Sequence, residues 1–292
     1  MIKYTIPGMT EFPDICLLFA QLAQQKPDMF FPDTVIESVY GGFPGSKLCG
    51  GRNNLGQQMS AEQLLSIVRR YNDAGIACNV TFTNQHATPE ELSLSLYDRA
   101  ILDALATGES NGVIVFRDDL AAWLREYYPD LTLIASTTKE LPTVHQTEQL
   151  AGLYDRAVLN YNLTHEFDQL ATVRDASFLE IMVNEYCTLG CPYRKAHYAD
   201  VSRCQHAGRR SSFVCMHEPS PQAYGFLQGL VDGDVFLKNK QVRALGEAGF
   251  DHFKIVGRGL ERYDVVDALL YYLVQPDCWY EMRDFLIRHN YL

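Results

Sequence analysis

No apolar run in this sequence is long enough to cross a bilayer, which takes about 20 residues; the late stretch from Val265 to Val274 is short and broken by Asp267. The opening residues, Met1 to Gly8, show no basic stretch leading into an apolar core, so no secretory signal is visible. An excess of positive charge is missing as well: the net charge is −11 and the pI about 5.2. Such a surface repels nucleic acid and anionic membranes unless basic side chains gather locally. Three short motifs are also absent: H-E-x-x-H, G-x-G-x-x-G and G-x-x-x-x-G-K-[ST]. Zinc-peptidase and common phosphate-binding chemistry therefore lose their usual signatures. These absences lead to the expectation of a cytoplasmic protein without a membrane partner.

What is present is a composition that buries a large core: 292 residues, 47% apolar and 12% aromatic. Two ordinary domains or one barrel of roughly 250 residues both suit that length. Pattern decides between them. Eight short β-branched or aliphatic runs recur, at Lys3 to Ile6, Val35 to Tyr40, Ala77 to Phe82, Gly112 to Phe116, Leu131 to Ala135, Arg156 to Asn160, Phe178 to Val183 and His252 to Val256. Several are continuously apolar, as parallel strands covered on both faces are. Between them lie stretches with helix signals. Ser60 with Gln63 reads as a capping box closed at Gly75, and Thr88-Pro89-Glu90-Glu91 opens a helix expected to run to about Thr107. Asp118 to Tyr127, Thr164 to Thr172 and Arg262 to Leu273 fill further slots. The alternation predicts one (β/α)8 barrel spanning residues 1–292, with an open doubly wound sheet as the other arrangement it allows.

About 70 residues separate the seventh run from the eighth, far more than a βα unit needs. This insertion, residues 184–250, leaves from the C-terminal end of a strand, the face where barrel active sites sit. It holds four of the eight cysteines, Cys187, Cys191, Cys204 and Cys215, spaced Cys-x3-Cys-x12-Cys-x10-Cys. A chain of this size in a reducing compartment does not need disulfides, so the thiols are read as ligands for a soft metal, an iron-sulfur cluster or zinc. The lack of a Cys-x2-Cys knuckle and the proline after Cys191 favour a 4Fe-4S cluster over zinc; Arg194, where a third closely spaced cysteine would stand, disfavours radical S-adenosylmethionine chemistry. Cys16, Cys78 and Cys278 lie in apolar patterns and read as core. Cys49, in the glycine-rich stretch Gly41 to Asn54, is a further candidate ligand in place of Cys204 or Cys215.

Three stretches carry a family resemblance. Val113 to Leu120 followed by Leu124-Arg125-Glu126 and Pro129, then Leu133 to Thr138, and finally Phe253-Lys254-Ile255-Val256-Gly257-Arg258 together resemble peptidase family U32, the collagenase-like family, over roughly residues 34 to 273. The resemblance implies a barrel carrying a 4Fe-4S cluster. Its relatives include oxygen-independent hydroxylation factors for quinone precursors and RNA bases, as well as proteins named peptidases. The implied function is redox modification of an RNA base or an aromatic small molecule by an enzyme or by one subunit acting with a partner subunit. A non-catalytic metal-stabilised scaffold and a U32-like hydrolase are the alternatives. Val256 stands where the family has glutamate, Val183-Asn184-Glu185 replaces its His-Gly pair, and the cysteine spacing is tighter than the family's.

Candidate chemistry follows from position. Polar residues near strand ends are Glu37, Asn84, Arg117, Asp118, Ser136, Asn160, Asn184, Glu185 and Arg258. Glu185 and His197 flank the first two thiols and are read as acid or base, and Arg258 as a bidentate grip on a carboxylate. Arg194 and Lys195, with Asn184 and Asn84, are read as contacts to an anionic or aromatic substrate.

Overall fold

The computed structural model describes residues 1–50, 54–217, 225–257 and 259–292. Eight strands close into a barrel in sequence order: β1 (Ile2–Pro7), β2 (Thr34–Gly41), β3 (Ala77–Phe82), β4 (Gly112–Val115), β5 (Thr132–Ala135), β6 (Arg156–Val158), β7 (Leu179–Met182) and β8 (His252–Lys254). Every neighbouring pair is parallel, and β8 closes on β1 through Tyr4 opposite Phe253. All eight expected runs form strands. Their continuous apolar character has the anticipated cause: β3, β4, β5 and β7 are buried on both faces, between the barrel interior and the helical ring.

The helices are α1 (Pro13–Gln25), α2 (Ala61–Asp73), α3 (Pro89–Leu94), α4 (Leu96–Leu105), α5 (Asp118–Tyr127), α6 (Val144–Glu148), α7 (Phe167–Leu170), α8 (Arg194–His206), α9 (Phe226–Asp232), α10 (Asn239–Glu247), α11 (Arg262–Leu273) and α12 (Trp279–Arg288). Both capping boxes form: Ser60 accepts from the Gln63 N–H and Thr88 from that of Glu91, each with the reciprocal bond in place. The helix expected from Thr88 to Thr107 is instead two. Ser95 leaves helical geometry and its hydroxyl accepts from the Asp98 N–H, which ends α3 and starts α4. Among the described residues, no helix is long and apolar enough to cross a membrane.

A polar column runs up the barrel axis. The Thr5 hydroxyl lies 2.9 Å from that of Ser38 and also donates to Glu180. Glu180 is wholly buried and faces Lys254 Nζ at 3.4 Å. At the N-terminal rim, Arg156 donates to Glu37 at 2.8 Å and His252 Nδ1 lies 3.2 Å from the same carboxylate. Glu37 was expected at the C-terminal face. It stands at the opposite end because β2 begins at Thr34, and because the pairing with β1 steps from Tyr4 opposite Ile36 to Thr5 opposite Ser38, leaving Glu37 as the extra residue of a bulge.

This rim has a measurable pH signature. Burial pushes the Glu37 carboxyl up, but His252 and Arg156 outweigh it and bring the value down to about 2 from an ordinary 4.5. A depressed carboxylate stabilises the fold above its unfolded value and loses that contribution as pH falls. Urea melts should therefore show stability declining from about pH 4.5 downward, by on the order of 2 kcal/mol after solvent screening. In Glu37→Gln that part of the slope should vanish.

Candidate active site at the barrel mouth

A cavity of about 90 Å3 opens at the C-terminal mouth, walled by Thr81, Thr83, Ser136, Thr138, Glu185, Tyr198, Lys254 and Val256 with Tyr40 and Met182. Each polar group comes from the end of a strand or just beyond it, apart from Tyr198, which α8 supplies. Lys254 is buried at the cavity wall, its Nζ 3.4 Å from Glu180 and 3.8 Å from the centre of the Tyr40 ring. Burial alone would push the Glu180 carboxyl up; the charges of Lys254 and Arg156 and the bond from Thr5 hold it below the usual carboxylate range. Thr83 is buried at the cavity wall. A hydroxyl-lined cavity with one buried cation suits a small polar ligand that accepts hydrogen bonds.

The thiol-bearing insertion joins this cavity at Glu185. Its carboxylate accepts from Arg194 at 2.9 Å and from the backbone N–H groups of Tyr186 and Cys187 at 2.9 and 3.1 Å. Arg194 is 4% exposed, with its guanidinium 4.1 Å from the Tyr161 ring centre and 4.9 Å from that of Tyr198. A second carboxylate, Glu140, reaches within 3.5 Å of Arg194 Nε, and neither atom has a hydrogen bond. Glu140 adopts a left-handed φ of +48°, and burial pushes its carboxyl up against the pull of Arg194. A non-glycine residue at positive φ is uncommon and marks a conformation that its surroundings impose.

From this anchor α8 crosses the mouth to the side of β2 and β3. At its far end Gln205 Nε2 donates to Ser46 O at 2.8 Å, while the Asn54 N–H donates to Gln205 Oε1 at 2.7 Å. Asn84 Nδ2 donates to Ser202 O and Lys47 O, both at 2.9 Å, and His206 meets Glu91 at 2.7 Å. The glycine-rich loop is packed down to receive these bonds. A Cβ on Gly50 would fall 2.4 Å from Thr83 O, so only glycine fits there.

The sequence-derived residues separate into distinct roles. Glu185 is at the mouth, although its lone pairs are already engaged. Arg194, expected to contact substrate, is buried in ion pairs with Glu185 and Glu140. Lys195 is exposed on α8. Asn184 is fully buried and clamps β7 to β8, donating to Val256 O and accepting from the Val256 N–H, each at 2.7 Å; Asn84 ties the glycine-rich loop to α8. Both amides serve the backbone because buried N–H and C=O groups must be paired. His197 stacks on Phe213 at 4.5 Å and is not part of the cavity wall. Asp118 pairs with Lys139 at 2.6 Å, and Arg117 with Asp119; none of them lines the cavity. Arg258 lies outside the described residues. Lys254, Thr83, Tyr198 and Glu140 carried no assigned role in the sequence reading. The one available signal was Lys254, a cation in the inward register of an otherwise apolar strand end.

The four thiols do not converge. Cys187 and Cys191 are neighbours near Arg194, and burial pushes the Cys187 thiol up against that guanidinium. Cys191 Sγ lies 3.3 Å from His217 Nε2. Cys204 is 1% exposed near the other end of α8, 3.8 Å from Asp200, and Cys49, within the glycine-rich stretch, is fully buried. Among the described residues, no three His, Cys, Asp or Glu side chains form a group able to hold a metal. Soft donors are present in the right element, but the arrangement does not fit a cluster held by Cys187, Cys191, Cys204 and Cys215 together.

The sequence matches no family model and no curated protein. Among solved structures, a U32 peptidase shares the fold with a TM-score of 0.54 at 17% identity, over 89% of this chain and 93% of that one. The barrel is U32-like in fold. The C-terminal domain of a chitinase-like protein from Desulfitobacterium hafniense aligns with a TM-score of 0.43 at 12% identity, over 92% of this chain and 97% of its own.

Proposed function

We propose that this U32-like barrel is an enzyme, or one subunit of an enzyme, that modifies an aromatic small molecule at the mouth by oxygen-independent redox chemistry. The thiols of the insertion would hold an iron-sulfur centre beside it. The observation that carries this reading is the double role of Glu185, which walls the cavity and is fixed by the N–H of Cys187, so that one residue links the substrate cavity to the thiol segment. An aromatic small molecule is a better match than an RNA base. The net charge of −11 opposes a polyphosphate backbone, and Arg194, one of the insertion's basic residues, is occupied in buried ion pairs.

A U32-like hydrolase is the second reading, favoured by the fold shared with a U32 peptidase. Against it, the mouth carboxylate Glu185 already accepts three hydrogen bonds and is poorly placed to act as a base.

The test is iron, sulfide and zinc content with an absorption spectrum on protein purified without oxygen, repeated for Cys187→Ala and Cys191→Ala. Iron and sulfide bound in the wild type and lost in both variants is the expected result. A colourless protein with zinc would make the metal a structural clip, and a protein without metal would leave the hydrolase reading.

A further inference from the structure

We propose that Lys254 exchanges protons with the substrate at the mouth, and that Ser38, Thr5 and Glu180 form the path that connects it to a second cavity at the opposite end of the barrel. This role goes beyond the redox reading above and is tested without any metal.

The path is continuous. A cavity of about 750 Å3 opens at the N-terminal end, walled by Ser38, Asn79, Thr132 and Arg156 and reaching the surface at the exposed residues Gly75 and Glu109. Ser38 is 1% exposed, and its hydroxyl lies 2.9 Å from that of Thr5. Thr5 donates to Glu180 Oε1, and Lys254 Nζ donates to Glu180 Oε2 at 3.4 Å. Lys254 in turn walls the mouth cavity. The bulge in β2 makes the junction: by setting Glu37 aside, it brings Ser38 opposite Thr5. A hydroxyl has one hydrogen to donate. Thr5 commits its own to Glu180, so in the pair with Thr5 the donor is Ser38, which then accepts from the cavity side. Both hydroxyls therefore point their hydrogens toward Glu180.

Packing does not call for such a column. Barrel interiors are filled mainly by branched apolar side chains, and replacing both members of a buried ion pair by apolar residues of similar volume is often neutral or stabilising. Two hydroxyls that lead from one cavity to a carboxylate and ammonium pair at the other give a buried base a route for protons. When Lys254 protonates the substrate, one N–H bond breaks and the amine is left neutral. A proton entering by the N-terminal cavity bonds to the Ser38 oxygen, the Ser38 proton passes to Thr5, and the Thr5 proton passes to Glu180 Oε1. Rotation of the carboxyl group presents that proton to Nζ. Ammonium and carboxylate are restored, the hydroxyls turn back, and one proton has moved; the reverse sequence drains a proton from the mouth.

The experiment follows exchange of the Lys254 ammonium hydrogens with water by NMR, on the full chain isotopically labelled at lysine nitrogen. The resonance is assigned by its absence from Lys254→Arg. Ser38→Ala removes the entrance and leaves the bond from Thr5 to Glu180; Thr5→Val breaks the column in the middle; Ser38→Thr keeps a hydroxyl. Exchange should slow by about tenfold or more in Ser38→Ala and Thr5→Val, a modest share of what a positioned proton carrier contributes, and should return close to the wild-type rate in Ser38→Thr. Lys139, bound to Asp118 and off the column, is the internal reference. A variant that merely loosened the fold would speed exchange at both lysines, the opposite of the expected result. An unchanged or faster Lys254 rate in Ser38→Ala would overturn the path, because protons would then reach Lys254 through the mouth. Ser38→Ala leaves Glu180 its hydroxyl donor, so it decides the matter even where Thr5→Val fails to fold. Iron, sulfide and zinc content do not enter this measurement, so failure of the path and failure of the redox reading are told apart.

Discussion

Arg194→Met is expected to cost about 3 to 5 kcal/mol of stability, the usual effect of removing one partner from a buried ion pair. The guanidinium is 4% exposed, and it serves Glu185, itself 7% exposed, and Glu140 at 11%. Its loss strands two largely buried carboxylates. The Tyr161 and Tyr198 rings would also lose the planar cation between them, so lysine at this position should recover little, having neither the fork nor the flat face. The double variant Arg194→Met with Glu185→Gln should regain a large part of the loss, because it removes the worst stranded charge. Urea denaturation of the three proteins checks this. A single variant within about 0.5 kcal/mol of wild type would mean that the pair is solvated.

The same residue shows where sequence reading stops. In the run Arg194-Lys195-Ala196-His197, an arginine next to thiols reads as a surface charge awaiting an anion. Only the fold reveals that α8 lies over the barrel and turns this side chain inward between two carboxylates from the loops that follow β5 and β7. The strands were legible because the parallel barrel buries both faces of short apolar runs, and the capping boxes because they are local chemistry. The helix α8 was not. Its sequence is polar on every side, so it has no apolar stripe for periodicity to detect, and it is held by tethers from Gln205, Asn84 and Arg194 rather than by a greasy face. The helix expected from Thr164 to Thr172 contracts to Phe167–Leu170 for a related reason. Thr164 donates its hydroxyl to Tyr161 O, closing a tight turn that competes with helix formation. The cysteines illustrate a third limit. Spacing says which residues are thiols, but the length of α8 decides that Cys204 stands apart from Cys187 and Cys191.

Lys254→Met should produce a loss of similar size, about 3 to 5 kcal/mol at neutral pH, with a pH dependence that identifies its origin. In the wild type the Glu180 carboxyl lies below its ordinary value of 4.5, because Lys254 and Arg156 outweigh burial. Its contribution is therefore present above pH 4.5 and fades as pH falls. Without the ammonium, burial becomes the dominant effect on a wholly buried carboxylate, and the folded-state value rises above the unfolded one. The variant then takes up a proton on folding, and its deficit should shrink toward acid and grow toward neutrality. Urea melts between about pH 4 and pH 8 read the two slopes, which should have opposite sign. Slopes of the same sign would mean that Lys254 is not what keeps Glu180 ionised. Adding Glu180→Gln should flatten the slope and restore most of the stability, since a neutral amide can still accept from Thr5 and demands no counter-charge. That double variant keeps the barrel but removes the buried cation from the cavity wall. Any activity it lacks is therefore attributable to loss of the Lys254–Glu180 pair at the cavity wall rather than to the fold.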